Sequence, residues 1–223
     1  PYEQISVAGG IMMPKQELPQ NAAVTDDDAS CLRIEALSVV RGQRLVIDRL
    51  SHAQEAGAYC LLTGANGAGK STLLRTIAGR LPAESGHIHC DVPRIYIGHA
   101  DGLAGAISGR KNLQSWAAIN DIDVTDTELD TALGGFDAGA FADMPIQLLS
   151  RGQRRRLALA RLLLAPKQSL WLLDEPNAGL DVNSQAQLET AINNHLAAGG
   201  TVISATHNAA AASMATISLA LGS

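Results

Sequence analysis

The chain has 223 residues, of which 46% are hydrophobic and 17% charged, which is typical of a globular domain with a substantial core. Its net charge of −5 excludes a general attraction for nucleic acid, and its aromatic content of 3% argues against a base-stacking surface for single strands. Because it contains no basic-then-apolar leader and no uninterrupted apolar run of about 18 residues, we expect neither a secretory signal nor a transmembrane helix.

The first 30 residues differ in composition from the rest. They mix Pro, Gln and Asn with three consecutive Asp at 26–28, and they show no apolar period. Such a segment buries too little apolar surface to compensate for the entropy lost on ordering. We therefore expect a disordered tail over residues 1–30 and a single domain over residues 31–223.

Two kinds of pattern follow along the chain. The segments CLRIEALSVV and QRLVIDRLSHAQ alternate apolar and polar residues, as half-buried strands do. Later, short apolar runs at 58–64, 170–173 and 201–206 alternate with helical patterns at 71–80, 151–165 and 182–197. This alternation predicts an α/β fold with a mostly parallel sheet and an antiparallel layer beside it. Helix signals concentrate at about 100–165, where we expect a helical subdomain.

A glycine-rich loop, GANGAGKST, matches the pattern G-x-x-x-x-G-K-[ST] in full between an apolar strand and a helix. Its glycines let successive backbone N–H groups point at phosphate oxygens. Lys70 can reach the β- and γ-phosphates, Ser71 can offer its hydroxyl to Mg²⁺, and Thr72 can bond the α-phosphate side. The predicted nucleotide-binding residues of the loop are Gly64, Ala65, Asn66, Gly67, Ala68, Gly69, Lys70, Ser71 and Thr72.

Two acidic residues, Asp174 and Glu175, follow the apolar strand LWLL, at the strand end where ligands bind in open α/β sheets. We expect Asp174 to help hold Mg²⁺ through water and Glu175 to orient the attacking water. His207 follows the strand TVISAT in the same way and can bond the γ-phosphate or that water. Without the phosphate loop, Asp174, Glu175 and His207 would more often be ordinary residues at strand ends. The presence of the loop favours the catalytic interpretation.

The segment LSRGQ at 149–153 overlaps the start of the helical stretch RGQRRRLALARLLL. Ser150 is a natural N-cap, and its hydroxyl together with the Gly152 N–H lies at the positive end of the helix, where a phosphate can bind. The arginines that follow, Arg154 to Arg156, are interpreted as a solvated or domain-contacting face.

The order GANGAGKST, LSRGQ, LWLLDEP, AGLD (178–181) and His207 resembles the ATP-binding subunits of ABC transporters over about residues 31–220. The resemblance implies a P-loop NTPase fold of the ABC type, with a RecA-like parallel-sheet core, an antiparallel β layer and a helical subdomain. It also implies that two subunits sandwich ATP. Ser150, Gly152 and Gln153 would then act on the nucleotide of the other subunit, and Asp181 would belong to a loop linking the two sites.

A narrower resemblance lies in RIYIGHADGL, where His99 replaces the Gln usual in ABC subunits. This segment is similar to that of the heme exporter ATP-binding subunits of cytochrome c maturation, the CcmA family. The resemblance implies ATP and Mg²⁺ as cofactors, a homodimer or pseudo-dimer, integral membrane partner subunits and no nucleic acid. It places the subunit peripherally at the cytoplasmic face of the inner membrane. His99 is a catalytic candidate because a neutral imidazole can contact water or metal.

The chain departs from the ABC pattern in other places as well. Arg151 stands where a small residue is usual, and no aromatic residue near 40–42 is available to stack on adenine, although Arg41 can do so. Three alternatives stay open at this stage: an exporter of another cargo, a soluble ABC ATPase acting on DNA or ribosomes, and a P-loop kinase. LSRGQ and AGLD argue most strongly against the kinase.

Overall fold

The computed structural model describes residues 30–206 and 214–221. The strands in chain order are β1 (Ser30–Arg41), β2 (Arg44–Glu55), β3 (Tyr59–Thr63), β4 (Ser85–Cys90), β5 (Arg94–Ile97), β6 (Leu170–Asp174), β7 (Thr201–Ala205) and β8 (Ile217–Ala220). The helices are α1 (Lys70–Ile77), α2 (Gly109–Ile119), α3 (Asp126–Gly134), α4 (Arg151–Leu164) and α5 (Val182–Ala197), with 3₁₀ turns at Gly139–Phe141 and Ile146–Leu148.

The strands form two sheets. The larger is parallel, with the order β5-β6-β7-β3-β8, and the smaller is antiparallel, with the order β2-β1-β4. Every residue of β6 and β7 is buried, as expected for central strands of a sheet covered on both faces. The α/β prediction with a parallel core and an antiparallel layer is confirmed.

Alternate residues of β6 point to two separate hydrophobic clusters, one on each face of the parallel sheet. Trp171 and Leu173 join the cluster that contains Phe136 and the inward faces of α2, α3 and α4. Leu170 and Leu172 join the cluster formed by α1 and the antiparallel sheet. Helix α1 therefore lies between the two sheets. Its packing in this core holds the carboxyl end of the preceding loop in place.

Helix α4 begins and ends where its sequence dictates. Ser150 caps its start and forms a capping box with Gln153, and the helix ends at Leu164, two residues before Pro166. Between β5 and β6, a stretch that is described throughout, the structure contains α2, α3 and α4 and no strand. The independence of residues 100–165 as a subdomain stays a prediction.

The predicted tail lies outside the described residues except for Ser30, which begins β1. Among the described residues, no helix has the length and apolar character needed to cross a membrane.

Candidate nucleotide-binding site

The site is built where the carboxyl ends of parallel strands meet at one edge of the sheet. The loop 64–69 follows β3 and leads into α1, and Asp174 and Glu175 lie at and just after the end of β6. His99 comes two residues after β5, which pairs directly with β6. The fold therefore brings Ser71 and Asp174 into contact, although they are 103 residues apart in the chain.

Gly64, Gly67 and Gly69 of the loop all have a positive φ, a conformation that is strained for residues with a side chain. Gly69 caps α1 with a φ of 107°, and Gly64 has a φ of 132°. A Cβ at Gly64 would lie only 2.5 Å from the carbonyl oxygen of Leu221, so the backbone passes too close to the last described segment for any side chain. The loop can thus turn tightly and direct its N–H groups toward one point.

Lys70, the first residue of α1, is largely buried, with 9% of its surface exposed. Its Nζ donates to the carbonyl oxygens of Gly64, at 2.7 Å, and Ala65, at 3.1 Å. An ammonium group has three N–H donors, so one donor is left for a phosphate oxygen. These two carbonyls hold the ammonium group of Lys70 in a fixed position against the loop.

Ser71 and Asp174 form the contact most suited to a divalent cation. The Ser71 hydroxyl donates to Asp174 Oδ1 at 2.8 Å, and Asp174 is 2% exposed. A hydroxyl and a carboxylate are hard oxygen ligands of the kind that Mg²⁺ prefers. The donor set therefore fits Mg²⁺ with either direct or water-mediated coordination by the carboxylate.

These side chains surround a cavity of about 390 Å³. It is lined by Arg41, Val46, Asn66, Gly67, Gly69, Lys70, Ser71, Thr72, Asp174 and Glu175. Arg41 thus lies where it can contact a base, as the stacking hypothesis requires. His99 is exposed and is not among the lining residues, and His207 lies outside the described residues.

The LSRGQ residues line a second, smaller cavity of about 130 Å³ that shares no residue with the first. Its walls include Ser150, Gly152, Gln153 and Asp181. The Ser150 hydroxyl accepts from the Gln153 N–H at 3.2 Å, so its own proton can still be donated. In this chain, therefore, the LSRGQ residues lie apart from the phosphate loop.

The AGLD turn packs directly against the start of α4. The Asp181 carboxylate caps α5 by accepting from the Ser184 N–H at 2.8 Å, and this hydrogen bond lowers the pKa of Asp181. A Cβ at Gly179, which has a φ of 78°, would lie 3.6 Å from Arg151 Nε. Arg151, the atypical residue of LSRGQ, therefore lies over the AGLD turn of its own chain.

The interpretation of the arginine run was wrong for one residue. Arg155 is 3% exposed and donates to the carbonyl oxygens of Gly98 (2.7 Å), Glu175 (2.9 Å) and Pro176 (3.1 Å). It also pairs with Asp101 at 3.2 Å. Burial lowers the pKa of the guanidinium, and the Asp101 charge opposes that shift.

Helical periodicity could have identified Arg155. It lies three and four residues before Ala158 and Leu159, both fully buried, and so shares their face of α4. An arginine on the buried face of a helix must find acceptors, because a buried charge without partners is strongly unfavourable.

Comparisons with known proteins agree with this geometry. Residues 47–178 match the ABC transporter family. The cytochrome c biogenesis ATP-binding export protein CcmA of Rhodobacter capsulatus is 44% identical over 79% of this chain and 80% of its own length.

Two solved structures share the fold with a TM-score of 0.76. An ATP-binding subunit of an ABC transporter is 22% identical over 86% of each chain. An ATP-binding cassette dimer in a post-hydrolysis state bound to ADP and Pi is 18% identical and matches over 85% of this chain and 94% of its own.

The chain belongs to the ABC transporter family and, within it, to the cytochrome c biogenesis ATP-binding export proteins. Both resemblances seen in the sequence, and the predicted ABC-type fold, are confirmed. The chain is an ATP-hydrolysing subunit of an ABC transporter.

Proposed function

We propose that this subunit powers an exporter for cytochrome c maturation, in which ATP hydrolysis drives heme export or the release of a heme-loaded chaperone. The convergence of Lys70, Ser71, Asp174 and Glu175 around one cavity carries the proposal. The similarity to a cytochrome c biogenesis export protein supports the cargo. The subunit acts peripherally at the cytoplasmic face of the inner membrane, together with integral membrane subunits.

Nucleotide binding follows from the loop. The backbone N–H groups of residues 64–72 and the N-terminus of α1 attract the phosphates, and Lys70 donates its third hydrogen bond to them. Ser71 and Asp174 are the residues that would hold Mg²⁺, which supplies positive charge against the β- and γ-phosphate oxygens when bound. Arg41 and Val46 line the same cavity and are suited to contact the base.

Glu175 orients and polarises the attacking water. Its backbone is fixed on both sides, because its N–H donates to the Ala205 carbonyl at 2.8 Å and its own carbonyl accepts from Arg155. A group that positions water must be held in place, since phosphoryl transfer depends chiefly on positioning and on charge stabilisation. His99 and His207 stay candidates for contacts with the γ-phosphate or with this water.

The second nucleotide contact comes from another copy of the chain or a similar subunit. The separation of the two cavities supports this arrangement, since Ser150, Gly152 and Gln153 cannot line the phosphate-loop cavity of their own subunit as it stands. In the dimer, the start of α4 supplies the Ser150 hydroxyl and the Gly152 N–H to the γ-phosphate of the opposite site. Asp181 connects the two sites.

Mixing two inactive variants tests whether one nucleotide is bound by the phosphate loop of one subunit and the start of α4 of the other. Lys70→Ala disables the phosphate loop, and Gly152→Asp places a negative charge where the phosphate of the other subunit would bind. Each variant alone should be inactive, whereas random mixing should restore up to about a quarter of the wild-type activity, because half the dimers then hold one intact site of two. A mixture that stays inactive, although heterodimers are detected, would contradict the cross-dimer arrangement.

The membrane subunits are proposed to dock in a groove next to His99. A cavity of about 350 Å³ is lined by Arg80, Arg94, Arg161 and Trp116, together with Ile119, which is 82% exposed. The mixture of cations and exposed apolar side chains suits an amphipathic segment with acidic residues. The groove also adjoins residues 100–102, so its occupant would contact the segment that follows β5.

Purification from native membranes tests this function. A tagged chain extracted in mild detergent should bring with it a multi-pass subunit and a heme-binding protein. Ile119→Asp should lose these partners but still bind ATP. Leu148→Asp, which alters another exposed apolar residue outside the groove, should retain them. Recovery of a membrane partner without any heme-binding protein would favour another cargo, and recovery of ribosomal or DNA-bound factors would contradict the proposal.

A further inference from the structure

Tyr96 contacts the carboxylate of Asp174 and two arginines, Arg75 of α1 and Arg80 just after it. It lies in the middle of β5, on the face opposite to Ile95 and Ile97, and is half-buried. Its hydroxyl donates to Asp174 Oδ2 at 3.3 Å and accepts from Arg75 Nε at 3.2 Å.

The two oxygens of Asp174 therefore have different partners. Oδ1 accepts from the Ser71 hydroxyl and Oδ2 from the Tyr96 hydroxyl. A carboxylate held at both oxygens cannot rotate freely about its Cβ–Cγ bond. Because Asp174 is almost fully buried, water has little access to replace either partner.

The surroundings hold the phenol of Tyr96 in place. The guanidinium of Arg80 lies 4.9 Å above the centre of its ring, in cation–π geometry. A Cβ at Gly98 would lie 2.7 Å from the Tyr96 hydroxyl oxygen, so the ring occupies the space that a side chain at position 98 would need. Arg75, Arg80 and Gly98 together restrict the hydroxyl to the side of Asp174.

We propose that Tyr96 is a positioning residue for the magnesium site, which orients Asp174 so that its other oxygen faces Ser71. The inference rests on the proposed Mg²⁺ site. Tyr96 itself does not touch the nucleotide cavity, whose lining residues do not include it. It does line the groove proposed for the membrane subunits, so one side chain contacts both the groove and the metal-binding carboxylate.

Tyr96→Phe tests this role because it removes only the hydroxyl. Binding of a fluorescent ADP analogue is measured over a series of Mg²⁺ concentrations and again in excess chelator. The half-saturating Mg²⁺ concentration should rise about tenfold, the effect expected when an outer-shell partner of a metal ligand is lost. The affinity measured in chelator should equal that of the wild type, since the phosphate loop is intact.

Tyr59→Phe is the matched control, because Tyr59 is buried at the start of β3, the end opposite to the phosphate loop. It should leave the Mg²⁺ dependence unchanged. Gly98→Ala keeps the hydroxyl but displaces it, and it should reproduce the shift of Tyr96→Phe.

Three results would overturn the role of Tyr96. One is a Tyr96→Phe variant with the wild-type Mg²⁺ dependence, which would leave the magnesium site itself standing. Another is an equal loss of affinity with and without Mg²⁺, which would mean that Tyr96 supports the loop and not the carboxylate. The last is a wild-type protein that binds the analogue equally well with Mg²⁺ and with chelator, which would remove the proposed magnesium site as well.

Discussion

The guanidinium of Arg155 donates a hydrogen bond to the backbone carbonyl oxygen of Glu175 at 2.9 Å. The same side chain donates to the carbonyls of Gly98 and Pro176. One buried cation therefore joins α4, which begins within LSRGQ, to the ends of two sheet strands. Arg155 thus holds the backbone of Glu175, the catalytic candidate. Arg155 belongs to α4, the helix whose start is proposed to contact the nucleotide of the opposite subunit.

Replacing Arg155 should destabilise the fold. Arg155→Gln leaves the Asp101 carboxylate without its cation and several carbonyls without donors, so the free energy of unfolding should fall by about 3–5 kcal/mol. Urea denaturation of the purified domain measures this. Arg154→Gln changes the partly exposed neighbour on the same helix and should stay within about 0.5 kcal/mol of the wild type. Equal effects of the two changes would contradict the anchoring role.

Glu175→Gln should separate binding from hydrolysis. The amide keeps the size of the side chain but cannot accept a proton from water or polarise it as a carboxylate does. We expect wild-type ATP affinity, little turnover and accumulation of a closed dimer, seen by size-exclusion chromatography in the presence of ATP. Glu84→Gln, at an exposed position before β4, serves as control and should behave as the wild type. Normal turnover of Glu175→Gln would remove Glu175 from its proposed role.

Two capping boxes allow the structural and functional contributions of Ser150 to be distinguished. Ser150 caps α4 with Gln153, and Thr125 caps α3 with Glu128. Replacing either cap residue by Ala should lower the free energy of unfolding by about 1 kcal/mol. Only Ser150→Ala should also reduce ATP turnover, measured at a protein concentration that permits dimers. If Thr125→Ala reduces turnover equally, the loss reflects stability alone.

His195 predicts a pH dependence of stability. It stacks on Trp171 with 3.8 Å between ring centres, and its Nε2 lies 2.9 Å from the Ser169 carbonyl. Burial lowers its pKa below the ordinary value of 6.5, although backbone hydrogen bonds oppose the shift. The unfolded chain therefore binds a proton more readily than the native protein, so this contribution to stability is complete above about pH 6.5 and is lost as the pH falls below it.

Denaturation curves at pH 7.5 and pH 5.5 test the predicted contribution of His195 to the pH dependence of stability. His195→Gln should reduce the difference in unfolding free energy between the two pH values, whereas His89→Gln, at an exposed position of β4, should not. An unchanged difference in the His195 variant would assign the pH dependence to other groups. The variant also removes a ring from the core, so the comparison concerns the pH difference and not the absolute stability.

The features predicted from sequence were those encoded within short segments. The phosphate loop is a continuous pattern, the acidic pair ends an apolar run, and the helix from Arg151 is bounded by a cap and a proline. Segments of this kind carry their own backbone geometry, so the α/β fold followed from their order. The family match and the solved structures confirmed the ABC-type fold class.

The contacts that the sequence could not supply join distant segments. Tyr96 and Asp174 are in contact because β5 and β6 are neighbours in the sheet. The sequence of neither strand predicts that pairing. Arg155 was grouped with two partly exposed arginines because the run was interpreted from its composition and not from helical periodicity. Whether Ser150 serves its own nucleotide or that of a partner depends on an assembly, which no single chain encodes in its local patterns.

Glu175 has a φ of 49°, in the left-handed region that residues other than glycine occupy at a cost of about 1–3 kcal/mol. Glycine at this position would release that strain. A population of variants screened only for resistance to heat should therefore accumulate glycine or asparagine at position 175. Such proteins would survive higher temperatures and still retain ATP, yet they would no longer turn it over, so selection for durability alone would produce inert subunits.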